Sequence, residues 1–144
     1  MSVECPKEPM TTRETRVHLR ASPEDVFQFL SSTAHVPLFA PGIEEAHLLG
    51  GEDRLQGAWL GLRTRSGREL RAQVTHYHEN ERWTVVDELH TSAQMEVEAE
   101  RGGTLLTATL SGSWRPADEK QVYAEWERKL RDIERYLVIP AAAR

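Results

Sequence analysis

Apolar and polar residues alternate along much of this chain, and the places where the alternation stops mark its elements. Between Arg13 and Ala21, Val17, Leu19 and Ala21 fall on one side and Arg16, His18 and Arg20 on the other, as a half-buried strand requires. Ser22-Pro23-Glu24-Asp25 then opens a helix. Ser22 is the cap, Pro23 suits the first helical position, and two acids favour the positive end of the dipole. Val26, Phe27, Phe29 and Leu30 form its buried side. Thr33 caps a second short helical turn, which Pro37 and Pro41-Gly42 keep from growing. Strand-like runs follow at Ile43–Leu49, Leu55–Thr64, Arg68–His78, Trp83–His90, Ser92–Glu100 and Thr104–Trp114, with Gly-rich or polar turns between them. The run from Ser92 is the cleanest, setting Ala93, Met95, Val97 and Ala99 against Gln94, Glu96, Glu98 and Glu100.

The period changes after Pro116, which ends the last strand. In Asp118 to Leu137 the apolar residues Val122, Trp126, Leu130, Ile133 and Leu137 are spaced by three and four, the signature of one helix face. Gln121, Glu125, Arg128, Asp132 and Arg135 make the opposite, solvated face, where opposite charges one turn apart support each other. Asp118 is the expected N-cap, with Gln121 three residues on, and Pro140 blocks continuation. Short links between strands imply an antiparallel sheet. The expected fold is therefore α+β: a curved antiparallel sheet of about six to seven strands around a long C-terminal helix, with two short helices after the first strand.

Composition narrows the function classes. The 144 residues fit one domain, with residues 1–12 as a polar, flexible tail and 13–139 as the folded unit. A 39% hydrophobic and 28% charged chain is that of an ordinary soluble protein. A net charge of −5 without a Lys/Arg-rich run makes nucleic acid or an anionic membrane surface a poor partner. No apolar segment approaches the roughly 20 residues of a membrane span. The first residues, MSVECPKEPMTTRE, have no apolar core, so no secretory signal is read there and a cytoplasmic location is expected. The single cysteine, Cys5, lies in the tail, which excludes a disulfide framework or a multi-cysteine metal site.

Three stretches carry a family resemblance: ASPEDVFQFLSS (21–32), PLFAPGIEEAHLLG (37–50), and GGTLLTATLSGSW (102–114) followed by the long helix. In that order they resemble the START/SRPBCC (helix-grip) superfamily, which includes polyketide cyclase/dehydrase-like proteins. The resemblance covers residues 13 to 138. It implies a cavity between sheet and helix that holds a hydrophobic small molecule, lipid- or polyketide-like, and no cofactor.

Within that architecture, inward-facing residues are the candidates. The expected pocket lies between Trp126, Leu130 and Ile133 of the helix, with Tyr123 beside them, and sheet residues Trp59, Val74, Tyr77, Val85, Met95, Leu110 and Trp114. Aromatic walls suit a flat apolar ligand, but the same aromatics at core spacing could simply fill a core. Gly57, Gly61 and Gly112 leave space on the cavity side. Alternation in WTVVDELH groups Asp87 with Trp83, Val85 and Leu89, and a carboxyl in an apolar cavity could act as acid or base. A bulge could instead turn Asp87 outward, or it could pair with Arg63 or Arg71. His76 is the histidine nearest a strand centre and the second acid/base candidate. With His78 and His90 it has no recognised ligand spacing, so no metal is expected. Three functions stay open: binding of a hydrophobic or aromatic molecule, a cofactor-free cyclase/dehydratase-type enzyme using Asp87 or His76, and a solid-core interaction module. A homodimer is compatible with each.

Overall fold

The computed structural model describes residues 10–137. Cys5, most of the expected tail and Pro140 lie outside them. Seven strands, β1 (Thr11–Leu19), β2 (Ile43–Gly50), β3 (Trp59–Thr64), β4 (Glu69–His78), β5 (Arg82–Asp87), β6 (Ser92–Glu100) and β7 (Gly103–Gly112), form one antiparallel sheet in the order β1-β7-β6-β5-β4-β3-β2. Helix α1 (Pro23–Ser31) and a 3-10 helix (Thr33–Leu38) lie between β1 and β2. The long helix α2 (Pro116–Asp132) and a last 3-10 turn (Ile133–Tyr136) close the chain. The curled sheet grips α2, as the alternation and the helix spacing required.

Local chemistry moves several boundaries. β1 begins at Thr11, ahead of the apolar alternation. Polar pairs hold this end: Thr11 Oγ1 with the Tyr123 hydroxyl at 2.7 Å, and Thr12 Oγ1 with Ser111 Oγ at 2.9 Å. Ser22 caps α1 as expected, accepting from the Asp25 amide. β3 starts at Trp59 rather than Leu55. Arg54 and Gly57 both have positive φ, and the Asp53 carboxylate accepts from the backbone N–H and hydroxyl of buried Thr33, so this stretch is a pinned loop. Helix α2 starts at Pro116 with Arg115 at the cap position. Pro116 opens the helix, since proline needs no N–H in a first turn, whereas the sheet has already ended at Gly112. Asp118 is not the cap; it sits in that first turn and pairs with Arg115 at 3.2 Å. The α-helix ends at Asp132, and the 3-10 turn is tied to the end of β1 by Glu134. Its carboxylate accepts from the Arg20 amide (2.7 Å), Nε (3.0 Å) and Nη2 (2.7 Å), bonds that hold its pKa below the usual carboxylate range.

The interior divides in two along α2. Toward its C-terminal end, Leu130 and Ile133 are fully buried among α1 and the sheet, in a cluster that includes Phe27, Trp83, Met95 and Leu106. Here the core is solid. Toward its N-terminal end the facing sheet residues are smaller, and a cavity remains.

Candidate functional site

The cavity has a volume of about 880 Å³, inside the range of small-molecule sites. Its sheet wall is Leu60 and Leu62 of β3, Leu70 and Ala72 of β4, Val85 of β5, Ala93 of β6 and Leu110 of β7. Val122 and Trp126 of α2 form the helix wall. The rim is made by Phe39–Gly42, the β3–β4 turn (Thr64, Arg65, Ser66), the β5–β6 turn (Leu89, Thr91) and the polar edge of α2. The space exists because Ala72 and Ala93 occupy inward positions, whereas further along the same strands Val74 and Met95 fill them. The three glycines do not open it. Gly57 lies in the β2–β3 loop. A Cβ on Gly61 would meet His47 (2.7 Å) and Leu49 (3.3 Å), on the other side of the sheet from Leu60 and Leu62. One on Gly112 would meet the Trp114 ring at 2.6 Å.

Of the residues expected from the sequence, Asp87, Val85, Leu110, Trp114 and Trp126 come together around this cavity. The others do not. Trp59 is 44% exposed, because inward Leu60 and Leu62 leave it, by strand alternation, on the same face as Gly61. Val74, Met95, Leu130 and Ile133 belong to the solid half of the core. Tyr123 stands behind Trp114, with ring centroids 5.3 Å apart at 72°, and carries the Arg13 guanidinium over its face at 4.9 Å. A register shift between Val74 and His76 in the β4–β5 pairing breaks the alternation, so His76 is exposed and Tyr77 turns to pack on Phe27 at 5.6 Å. His76 therefore lies off the cavity. Leu89, expected in the buried set of β5, is exposed at the rim, because the strand ends at Asp87.

Asp87 faces the cavity, as alternation indicated: its partner across the ladder is Ala72, another lining residue. Neither Arg63 nor Arg71 pairs with it; Arg63 bonds Glu45 at 2.7 Å. Instead Asp87 Oδ1 accepts from the Leu89 amide (2.8 Å) and the Thr91 amide (3.0 Å), closing the turn in which His90 has φ 66°. Burial raises the Asp87 pKa, while these two amide bonds act to lower it, and the balance lies above the ordinary value.

On the polar face of α2 and the turn after it, Gln121, Arg128 and Arg135 are exposed as expected, but Glu125 is not. Glu125 Oε2 accepts from the Gly42 amide (2.9 Å), Arg65 Nη2 (2.8 Å) and Lys129 Nζ (3.0 Å). Lys129 in turn donates to the carbonyls of Pro37 (3.0 Å) and Ala40 (2.9 Å). This clasp ties α2 to the loop before β2 and to the β3–β4 turn at the cavity rim. Burial alone would raise the Glu125 pKa, but its three donors prevail and bring it to about 2. Helical spacing offers only the i,i+4 pair of Glu125 with Lys129; its other two partners, Gly42 and Arg65, lie 83 and 60 residues away. Placing Trp59 inward turns Leu60 and Leu62 outward by alternation, so sequence reasoning misses them; the signal for them is their own alternation with Gly61 and Arg63. Among the described residues no three His, Cys, Asp or Glu come together as a metal site.

The family model for polyketide cyclase / dehydrase and lipid transport matches residues 10–137. The chain belongs to that family, within the START/SRPBCC superfamily. Solved structures share the fold at low identity. A Chromobacterium violaceum protein, CV1439, is 16% identical with a TM-score of 0.64 over 88% of this chain and 96% of its own. Ara h 8.0201 is 15% identical with a TM-score of 0.66 over 89% and 97%. The Aha1 dimer from Colwellia psychrerythraea is 16% identical with a TM-score of 0.65 over 88% and 96%. No curated protein matches the chain. Members of this family grip a helix in a sheet, and the cavity beneath the first half of α2 is where this member leaves room. Among the described residues no helix is long and apolar enough to cross a membrane.

Proposed function

We propose that this protein binds a hydrophobic or aromatic small molecule, lipid- or polyketide-like, in the cavity between the sheet and the first half of α2. One observation carries the reading: a void of about 880 Å³ walled by Leu, Val, Ala and Trp side chains, with its few polar groups confined to Asp87 and the rim. Burying apolar ligand surface there releases about 25 cal/mol per Å², the main driving force such a site offers. The void also speaks against a solid-core interaction module. The reading takes the protein as a cytoplasmic carrier or receptor. A homodimer is compatible with it, since one similar structure is a dimer. Titration with the neutral lipophile Nile red, followed by fluorescence and by thermal unfolding, tests it. Saturable binding with a raised melting temperature is expected, and no binding together with an unchanged melting temperature overturns it.

Asp87 supports a second reading, a cofactor-free cyclase/dehydratase using one acid/base group. A carboxyl in an apolar cavity with a raised pKa suits proton transfer to or from a carbonyl compound. His76 and Tyr77, which lie off the cavity, have no part in that reading. Turnover of a polyketide-like substrate that is unchanged in Asp87→Asn would remove it.

A further inference from the structure

Apart from the polar edge of α2 and the β3–β4 turn, the cavity has a polar corner. Asp87 forms it from β5, Thr91 from the following turn, and Trp114 from the segment after β7. Thr91 donates its amide to Asp87 Oδ1 at 3.0 Å. Thr91 Oγ1 and the Trp114 ring both lie within 3.2 Å of the point where a Cβ on Gly112 would stand, so indole and turn meet over that glycine. A carboxylate and an indole are thereby held at the same end of the cavity, against its apolar sheet wall.

The acids that line the cavity differ in what they have left to offer. The charge of Glu125 is met by Arg65 and Lys129, and that of Asp118 by Arg115. Asp87 spends Oδ1 on two backbone amides, which orient the group, and among the described residues no Lys or Arg pairs with it. Of the two lining arginines, Arg65 is engaged by Glu125, and Arg128 is exposed on the outer rim. A half-buried carboxylate without a cation, at the same end of the cavity as an indole, is complementary to an ammonium group. The ion pair and the cation–π contact then act together, each strengthened by exclusion of water.

We propose, building on the binding reading above, that the preferred ligand has an apolar body and a protonated amine, with the ammonium seated between Asp87 and Trp114. The body lies along Leu60, Leu62, Val85 and Leu110 toward Trp126. The amine head pairs with the Asp87 carboxylate without disturbing the turn that Oδ1 closes.

Calorimetric titration at pH 7 with octylamine, octan-1-ol and octanoic acid tests this, with Nile red as a neutral reference. The amine should bind at least about tenfold tighter than the alcohol, and the acid should bind weakest. Asp87→Asn, which keeps an oxygen for the turn amides, should bring the amine-to-alcohol ratio near one while Nile red still binds. Trp114→Leu should lower amine affinity more than alcohol affinity, and it serves if the Asn variant does not fold. If Nile red binds but the amine shows no preference, or if the acid binds tightest, the amine assignment is overturned and the cavity reading stands. If neither Nile red nor any octyl probe binds, both fall.

Discussion

Glu125→Gln is the sharpest single perturbation of this structure, because one oxygen of Glu125 joins three chain segments. The side chain is only 15% exposed, and its Oε2 holds the Gly42 amide, Arg65 and Lys129. Glutamine keeps the size and an acceptor oxygen but removes the charge that the two cations compensate. The carboxyl pKa falls from 4.5 to about 2 on folding. A drop of that size corresponds to about 3.4 kcal/mol at 1.36 kcal/mol per unit. The site stands at an open rim where solvent screens charge, so roughly half of that is expected, about 1.5–2 kcal/mol at pH 7. The sign follows from the direction of the shift. The folded-state pKa is depressed, so the contribution is complete above the unfolded value of 4.5 and is lost as pH falls toward 2. Urea unfolding of both proteins at pH 7, 5, 4 and 3 measures it. The wild-type advantage should be near 1.5–2 kcal/mol at pH 7 and should shrink by more than half at pH 3. A difference below about 0.5 kcal/mol at pH 7, or one that does not change with pH, refutes the clasp as a source of stability.

Other expectations rest on separate features. Trp126 is fully buried, sits edge-on to Phe39 at 6.4 Å and lines the cavity, so it is wall and plug at once; Trp126→Ala should cost about 3–5 kcal/mol in urea unfolding. A loss below about 1 kcal/mol would mean the helix is not held there by the indole. Gly103 opens β7 with φ 153°, and a Cβ there would press on the Leu19 carbonyl and, at 2.8 Å, on Arg20 Cα. Gly103→Ala should therefore destabilise by about 2 kcal/mol or more, whereas Gly67→Ala, where a Cβ meets nothing, should cost only its backbone strain of about 1 kcal/mol. Asp53→Ala leaves the buried Thr33 amide and hydroxyl without their partner; about 1–3 kcal/mol lost, with faster hydrogen exchange at Thr33, is the expected result.

Much of the architecture was legible because it rests on period. In β7, Leu106, Ala108 and Leu110 are buried at every second position, and Trp126 and Leu130 of α2 and Ile133 of the turn after it are buried at steps of four and three. Those spacings depend only on backbone geometry, which each residue carries with it. Asp87 was readable for the same reason: it keeps parity with Trp83 and Val85 in an unbroken strand. His76 was not, because the irregularity after Val74 flips the parity and no residue type there announces it.

The division of the interior into a solid half and a hollow half was settled by tertiary structure alone. Ala72 and Ala93 are ordinary strand residues in the sequence, and only the pairing that sets them opposite Val122 and Trp126 turns missing methyl groups into a ligand-sized void. Glu125 makes the point most directly. In one dimension it is a charged residue on a charged helix edge, but the fold brings Gly42 and Arg65 onto it from distant segments. Period determines which side of an element faces inward. Whether that side meets bulk, space or charge depends on contacts between residues far apart in the chain, and those exist only after it has folded.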